Sequence, residues 1–295
     1  MLSPNEFYMN IQKPIIIVSV GRSGSTLLTE LLAKHQNVAW MSKCCQYFPS
    51  HPQINRMFLQ LTDCPILGPI LKNKVHPREH YNFWDYWHKG FSTICRDMRQ
   101  DDVTQSALRL RDVFAKMTTQ KHNRLMIKIT GWPRIGFLKE IFPDAKFIHI
   151  LRDGRSVASS MLNQPWWWGW RGPENWRWGQ LTDTQYQLWN KYNKSFVVLA
   201  AIEWMILMDS FELATADLSP DTFRTIKYED LCQDVNGTLK QVADFCELDY
   251  NDTYADQIKN FTVRSANSKW QSDLNPTQQH DLQEVLADSL IKYGY

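Results

Sequence analysis

The sequence predicts an α/β fold, a mostly parallel sheet flanked by helices, with helical or irregular insertions over the sheet's carboxyl edge. Three observations predict it. Continuous β-rich runs such as PIIIVSV (14–20) mark strands covered on both faces. Each such run is followed by a segment of helical periodicity, and strands alternating with helices make parallel sheets. No internal repeat or low-complexity linker divides the 295 residues, so one domain, 1–295, is expected.

The elements follow in order. After 14–20, STLLTELLAKH places Leu27, Leu28, Leu31 and Leu32 on one helical face. Residues 41–121 read as irregular, because Pro49, Pro52, Pro65, Pro69 and Pro77 interrupt any long element. RLMIKIT (124–130) is a strand, and PRIGFLKEIF (133–142) a helix with Pro133 in its first turn. AKFIHIL (145–151) and GRSVASSML (154–162) repeat the strand–helix pair. The run SFVVLAAIEWMILMD (195–209) is shorter than the about 20 apolar residues of a membrane span and contains Glu203. It reads as a buried core helix, with Glu203 in a buried ion pair. FRTIKYE (223–229) is a late strand and DVNGTLKQVADFC (234–246) a helix. Asn275, Pro276 and Gln278 supply an N-cap, a first-turn proline and a capping-box partner for a final helix. Residues 41–121 and 163–195 are the expected covers over the edge where α/β proteins bind ligands.

Composition excludes some functions. The net charge is only +2, which argues against a protein that coats nucleic acid, while leaving room for a local basic pocket. The six cysteines follow neither a metal spacing nor a disulfide framework, as expected of reduced thiols in a cytoplasmic protein. The leading MLSPNEFYMN lacks the basic-then-apolar pattern of a signal peptide.

The chemistry concentrates in two strand–turn–helix units. A nucleotide-triphosphatase loop has the form GxxxxGK followed by Ser or Thr. Laid on SVGRSGST (19–26), Gly24 and Thr26 match, but Ser19 replaces the first glycine and Ser25 the lysine. The P-loop-type cradle of backbone amides at a helix N-terminus survives, with Arg22 supplying the charge. The triphosphate lysine is missing, and no strand ends in an evident metal-holding aspartate. Asp153 lies between Arg152 and Arg155 and is expected to pair with them. The site therefore suits a phosphoryl or sulfuryl group without a metal; a merely connecting glycine turn is the plainer reading of the loop alone. In FIHILRDGRSVASSML (147–162), Arg152 ends a strand and Ser160 lies two turns into the next helix, where both can face one phosphate.

Together these stretches resemble the sulfotransferases that use 3′-phosphoadenosine-5′-phosphosulfate (PAPS). In that family a Lys/Arg-Ser-Gly-Ser/Thr-Thr loop binds the 5′-phosphosulfate, and a strand–helix with Arg and, eight residues on, Ser binds the 3′-phosphate. The resemblance places Arg22, Ser23, Gly24, Ser25 and Thr26 in the first role and Arg152 and Ser160 in the second. IKYEDL (226–231) is similar to the strand whose tyrosine lies near the adenine, here Tyr228. NSKWQSDL (267–274) is similar to a tail whose basic residue reaches the 3′-phosphate, here Lys269. Each match alone is weak, but four in the family's order span nearly the whole chain. Arg22 in place of the loop lysine aligns the pattern with the bacterial and Golgi-type branches more than with the phenol-specific enzymes.

The resemblance implies sulfuryl transfer from PAPS to a hydroxyl acceptor, an alcohol, a phenol or a carbohydrate, with no metal. Arg22 would neutralise the transferring group. Lys128, near the end of its strand, would meet the charge that builds on the bridging oxygen as adenosine 3′,5′-bisphosphate (PAP) leaves. An interior lysine needs a partner or a ligand there. The family's base, a glutamate after the first helix, has no counterpart in VAWMSKCCQYFP (38–49). His35 and His149 read as a helix cap and a core residue. Trp166, Trp167, Trp168, Trp170, Trp176 and Trp178 fit no single helical or strand face and read as an acceptor lid of flat apolar walls and indole donors. Two other readings remain: a P-loop kinase of a small metabolite, and a nucleotide-binding module without catalysis. The oligomeric state is not encoded in any pattern found.

Overall fold

The computed structural model describes residues 11–259, 261, 263 and 265–295, so the leading segment read for a signal peptide lies outside it. The chain runs β1 (Ile15–Ser19), α1 (Ser25–Leu32), β2 (Val38–Trp40), α2 (Lys43–Tyr47), α3 (Gln53–Thr62), α4 (Leu67–Lys74), α5 (Tyr81–Trp87), α6 (Gln105–Leu108), α7 (Leu110–Ala115) and β3 (Arg124–Thr130). It continues with α8 (Ile135–Ile141), β4 (Lys146–Leu151), α9 (Gly154–Leu162), α10 (Asp183–Lys191), α11 (Phe196–Thr215), β5 (Phe223–Lys227), α12 (Tyr228–Gln233), α13 (Val235–Cys246), α14 (Asp252–Ile258), α15 (Lys269–Asp273) and α16 (Pro276–Tyr293).

The five strands form one parallel sheet in the order β2-β3-β1-β4-β5. β1 is central, and all five of its residues are buried. Its continuous apolar run has a direct cause. Ile16 and Val18 join one core cluster with Phe147 and residues of α8, α9 and α11, while Ile15 and Ile17 join another with residues of α1 and α13. Both faces of the strand are thus dry. α11 is apolar on nearly all sides because it packs between α9 and α16. Among the described residues, no helix is long and apolar enough to cross a membrane. The final helix begins as its sequence directs: Asn275 accepts from the Gln278 amide, and the Gln278 side chain accepts from that of Asn275.

Three expectations need correction, and one short strand is not foreseen in the sequence. The segment 41–121 is not irregular: it folds into the short helices α2–α7, and Pro69 lies inside α4 rather than interrupting it. β2 is a three-residue strand too brief to show a period. α8 starts at Ile135 after Arg134, whose φ of 52° interrupts the backbone, so Pro133 lies ahead of the helix. Tyr228 opens α12 rather than ending β5, which stops at Lys227. Arg78 and Glu79 of the 41–121 segment and Trp166 of the 163–195 segment line one cleft with residues 21–22 and 24–27.

Candidate active site

The turn after β1 is shaped by two left-handed residues. Arg22 has φ 69° and Gly24 φ 91°. A side chain at Gly24 would be impossible without rearrangement, because a Cβ there would lie 2.2 Å from the Tyr228 ring. Arg22 pays for its conformation with contacts from the second motif. Its carbonyl accepts from Arg152 Nη1 at 2.9 Å, and its Nε donates to Ser160 Oγ at 3.0 Å. The two sequence motifs therefore meet, and Arg152 and Ser160 grip Arg22. Arg152 also donates to the carbonyl of Ala266 at 3.0 Å and stacks its guanidinium 4.4 Å from the centre of the Tyr228 ring. Among the described residues Asp153 pairs with Arg155, at 2.8 Å, and not with Arg152, and it caps α9 through the Arg155 amide.

Lys128 is placed by strand register. It lies beside Ile17, so its side chain leaves the sheet on the face that carries α1. There Nζ donates to Thr26 Oγ1 at 2.7 Å and pairs with Glu79 Oε1 at 3.0 Å. The partner an interior lysine requires is thus an acid from the 41–121 insertion. Burial alone would raise the Glu79 pKa; the Lys128 charge and hydrogen bond outweigh it and hold the carboxyl below its ordinary value.

These side chains enclose a cleft of about 580 Å³ lined by Gly21, Arg22, Gly24–Leu27, Arg78, Glu79, Lys128, Thr130, Arg152, Trp166, Tyr228 and Val263. Among the described residues, four cations face a single carboxylate. Burial and the neighbouring Arg152 charge lower the Arg22 pKa, the mark of positive charge awaiting an anion. A second cavity, about 370 Å³, shares Gly21, Glu79, Thr130 and Trp166 with the first. Its walls include Tyr81, Trp132, Trp167, Trp168 and Trp178.

The structure brings most of the sequence-derived residues together, with two exceptions and one substitution of role. Lys269 does not face the cleft: its exposed ammonium pairs with Asp273 at 3.6 Å. Ser23 is buried beneath the turn rather than lining the cleft. Among the described residues Glu203 has no ion-pair partner. Its Oε2 accepts from Trp167 Nε1 at 2.5 Å, and burial raises its pKa to about 8 while Trp167 and Trp178 oppose that shift. Of the tryptophans, Trp166, Trp167, Trp168 and Trp178 line the second cavity; Trp170 and Trp176 do not. His35 ties the chain rather than capping α1, with Nε2 3.0 Å from the Asp249 carbonyl. Sequence reasoning missed Arg78 and Glu79, which sit in a stretch without periodicity.

An anion cleft at the carboxyl edge of a parallel sheet, floored by a helix N-terminus and walled by arginines, defines a nucleotide-anion-binding α/β protein. Residues 14–252 match the sulfotransferase family, and the chain belongs to it. It is an enzyme of sulfuryl transfer, with PAPS as the family's donor. It is 25% identical to the omega-hydroxy-beta-dihydromenaquinone-9 sulfotransferase Stf3 of Mycobacterium bovis, over 96% of this chain and 75% of that protein. In fold it resembles the sulfotransferase STF9 of Mycobacterium avium (TM-score 0.57, 15% identity, 96% of this chain and 77% of that one). It also resembles the sulfotransferase domain of the Synechococcus PCC 7002 olefin synthase (TM-score 0.51, 18% identity, 98% and 96%).

Proposed function

We propose that Arg22–Thr26 hold the phosphosulfate of PAPS, that Arg152 and Ser160 turn to its 3′-phosphate when it binds, and that Tyr228 lies against the adenine. The acceptor hydroxyl enters from the tryptophan-walled cavity. Glu79, on the boundary of the two cavities, takes the hydroxyl proton. The acceptor oxygen then bonds to sulfur as the bond from sulfur to the bridging oxygen breaks, and PAP departs with that electron pair. Lys128 meets the charge on the bridging oxygen. Positioning and charge stabilisation dominate such a transfer, so few residues suffice.

The observation that carries this reading is the position of Lys128, with Thr26 of the donor loop at 2.7 Å and Glu79 at 3.0 Å, where the donor cleft joins the aromatic cavity. Glu79 supplies the acid absent after α1 in sequence. The donor and acceptor roles of these residues, the single catalytic domain over 1–295, and a small-molecule or glycan acceptor form one proposal. The mycobacterial relative is named for a hydroxylated menaquinone, and a hydroxyl on an apolar frame suits indole walls.

Two measurements test it. PAP should stabilise the protein against heat without magnesium, by roughly 2.7 kcal/mol at about 100 times its dissociation constant. An equal or larger shift with magnesium-ATP would favour a kinase instead. Glu79→Gln should keep PAP affinity within a few-fold and lower sulfuryl transfer about a hundredfold or more. Unchanged turnover would remove the base from Glu79.

A further inference from the structure

The second cavity contains a carboxyl group that stability does not explain. Glu203 sits inside α11, the most apolar helix of the fold, and is 1% exposed. It lines the cavity, and among the described residues its Oε1 has no hydrogen bond of proper geometry, although the Trp178 indole lies near the carboxyl. A leucine there would remove the cost of burying a polar group with one oxygen unsatisfied. Among the described residues no cation pairs with it, although Arg134 and Arg177 line the same cavity, and burial raises its pKa to about 8, so the group is mostly protonated at neutral pH. A neutral carboxyl is a hydrogen-bond donor, and its natural partner is an oxygen.

We propose that this cavity selects an uncharged, ring-framed acceptor with oxygens at both ends, one hydroxyl presented to Glu79 and Lys128 and the distal oxygen received by Glu203. The inference rests on the sulfotransferase reading of the adjoining cleft and adds the acceptor class. The indoles of Trp132, Trp167 and Trp178 supply flat faces for the ring. Trp178 is held against Gly131, where φ is 89° and a Cβ would come within 2.8 Å of its ring, so this wall is fixed by the backbone. At about 370 Å³ the cavity lies near the small end of the roughly 300–1,000 Å³ of ligand pockets. A cationic acceptor is disfavoured although an aromatic box with a carboxyl would otherwise attract one. The Arg134 and Arg177 side chains line the same cavity, and an ammonium would enter against both.

The test uses the full chain with PAPS and two matched pairs of probes: phenol with hydroquinone, and 2-naphthol with naphthalene-2,6-diol. Sulfated product gives kcat/KM for each. A diol has two equivalent hydroxyls, so a factor of about two in its favour is statistical. The wild type should prefer one of the diols over its mono-ol by about tenfold or more, the scale of one hydrogen bond. Glu203→Leu should bring that ratio down to about two, and Glu203→Gln, whose amide still donates, should keep most of it. PAP affinity should stay unchanged in both variants. The wild-type ratio tests the proposal even where Glu203→Leu does not fold. A wild-type ratio of about two, a ratio unchanged in Glu203→Leu, or faster sulfation of the cationic phenol tyramine would overturn it. So would failure to sulfate any of the four probes while PAP still stabilises the protein. Failure of PAP to stabilise it would instead strike the reading of the cleft itself.

Discussion

Replacing Lys128 by methionine should separate stability from catalysis, because the ammonium serves both. The stem and its packing remain, but Thr26 loses a donor and Glu79 loses its cation. The Lys128 side chain is 3% exposed and that of Glu79 20%, so the pair is largely shielded from water. Removing one partner of a buried pair costs about 3–5 kcal/mol, since the other charge stays buried and uncompensated. Turnover should fall about a hundredfold to a thousandfold, roughly 2.7–4 kcal/mol of transition-state stabilisation. The pH dependence should change sign at Glu79. In the wild type its folded pKa is lowered, so the pair stabilises at neutral pH and is lost as pH falls through that pKa. In Lys128→Met, burial is opposed only by the remaining Thr130 and backbone hydrogen bonds and should raise the folded pKa, so the variant gains relative stability in acid and loses it as pH rises. The double variant Lys128→Met/Glu79→Gln should recover most of the stability and none of the turnover. Denaturant unfolding at pH 5 and pH 8 and single-turnover sulfuryl transfer at saturating donor measure both effects. A single variant with turnover within tenfold of wild type, or a double variant no more stable than the single, would refute the reasoning.

Three further outcomes are expected. Gly24→Ala forces a Cβ into the Tyr228 ring at a left-handed position, so thermal unfolding should show a loss of about 1–3 kcal/mol, and titration should show weaker PAP binding. Arg152→Ala should weaken PAPS binding about tenfold to a hundredfold while affecting adenosine 5′-phosphosulfate, which lacks the 3′-phosphate, far less; equal losses in calorimetry would move Arg152 away from that phosphate. His149 is buried against Phe211, at 4.3 Å between ring centres, and its pKa is lowered by burial to about 3. A histidine lowered in the fold stabilises above its unfolded pKa of about 6.5 and loses that contribution as pH falls toward the folded value, so His149→Phe should flatten the decline in melting temperature between those limits.

What the sequence disclosed and what it hid divide along a physical line. β1, β3 and β4 are buried on both faces, so their apolar runs stand out; α9 and α16 carry their signals locally, in a strand-end turn and a capping box. Arg22, Gly24 and Arg152 were legible for the same reason, since a phosphate cradle is built from consecutive residues around one turn. Glu79 was not, because its task depends on a distance in space. It follows α4 by only a few residues, in a stretch whose prolines and short helices have no period, and nothing local marks it as the partner of a lysine on β3. The expectation that Lys128 must have a partner was sound, since burial of an ammonium demands one. Its identity required the register that sets Lys128 beside Ile17 and turns its side chain toward α1. Glu203 failed in the opposite direction. A carboxyl in an apolar helix implies compensation, and an ion pair is the commonest form. Here the compensation is an indole N–H together with protonation, an outcome set by aromatic residues 25 to 36 positions away. Four of the tryptophans that fit no single face of a helix or strand, Trp166, Trp167, Trp168 and Trp178, are arranged around a cavity instead, and Trp167 and Trp178 are the two that bear on the Glu203 carboxyl.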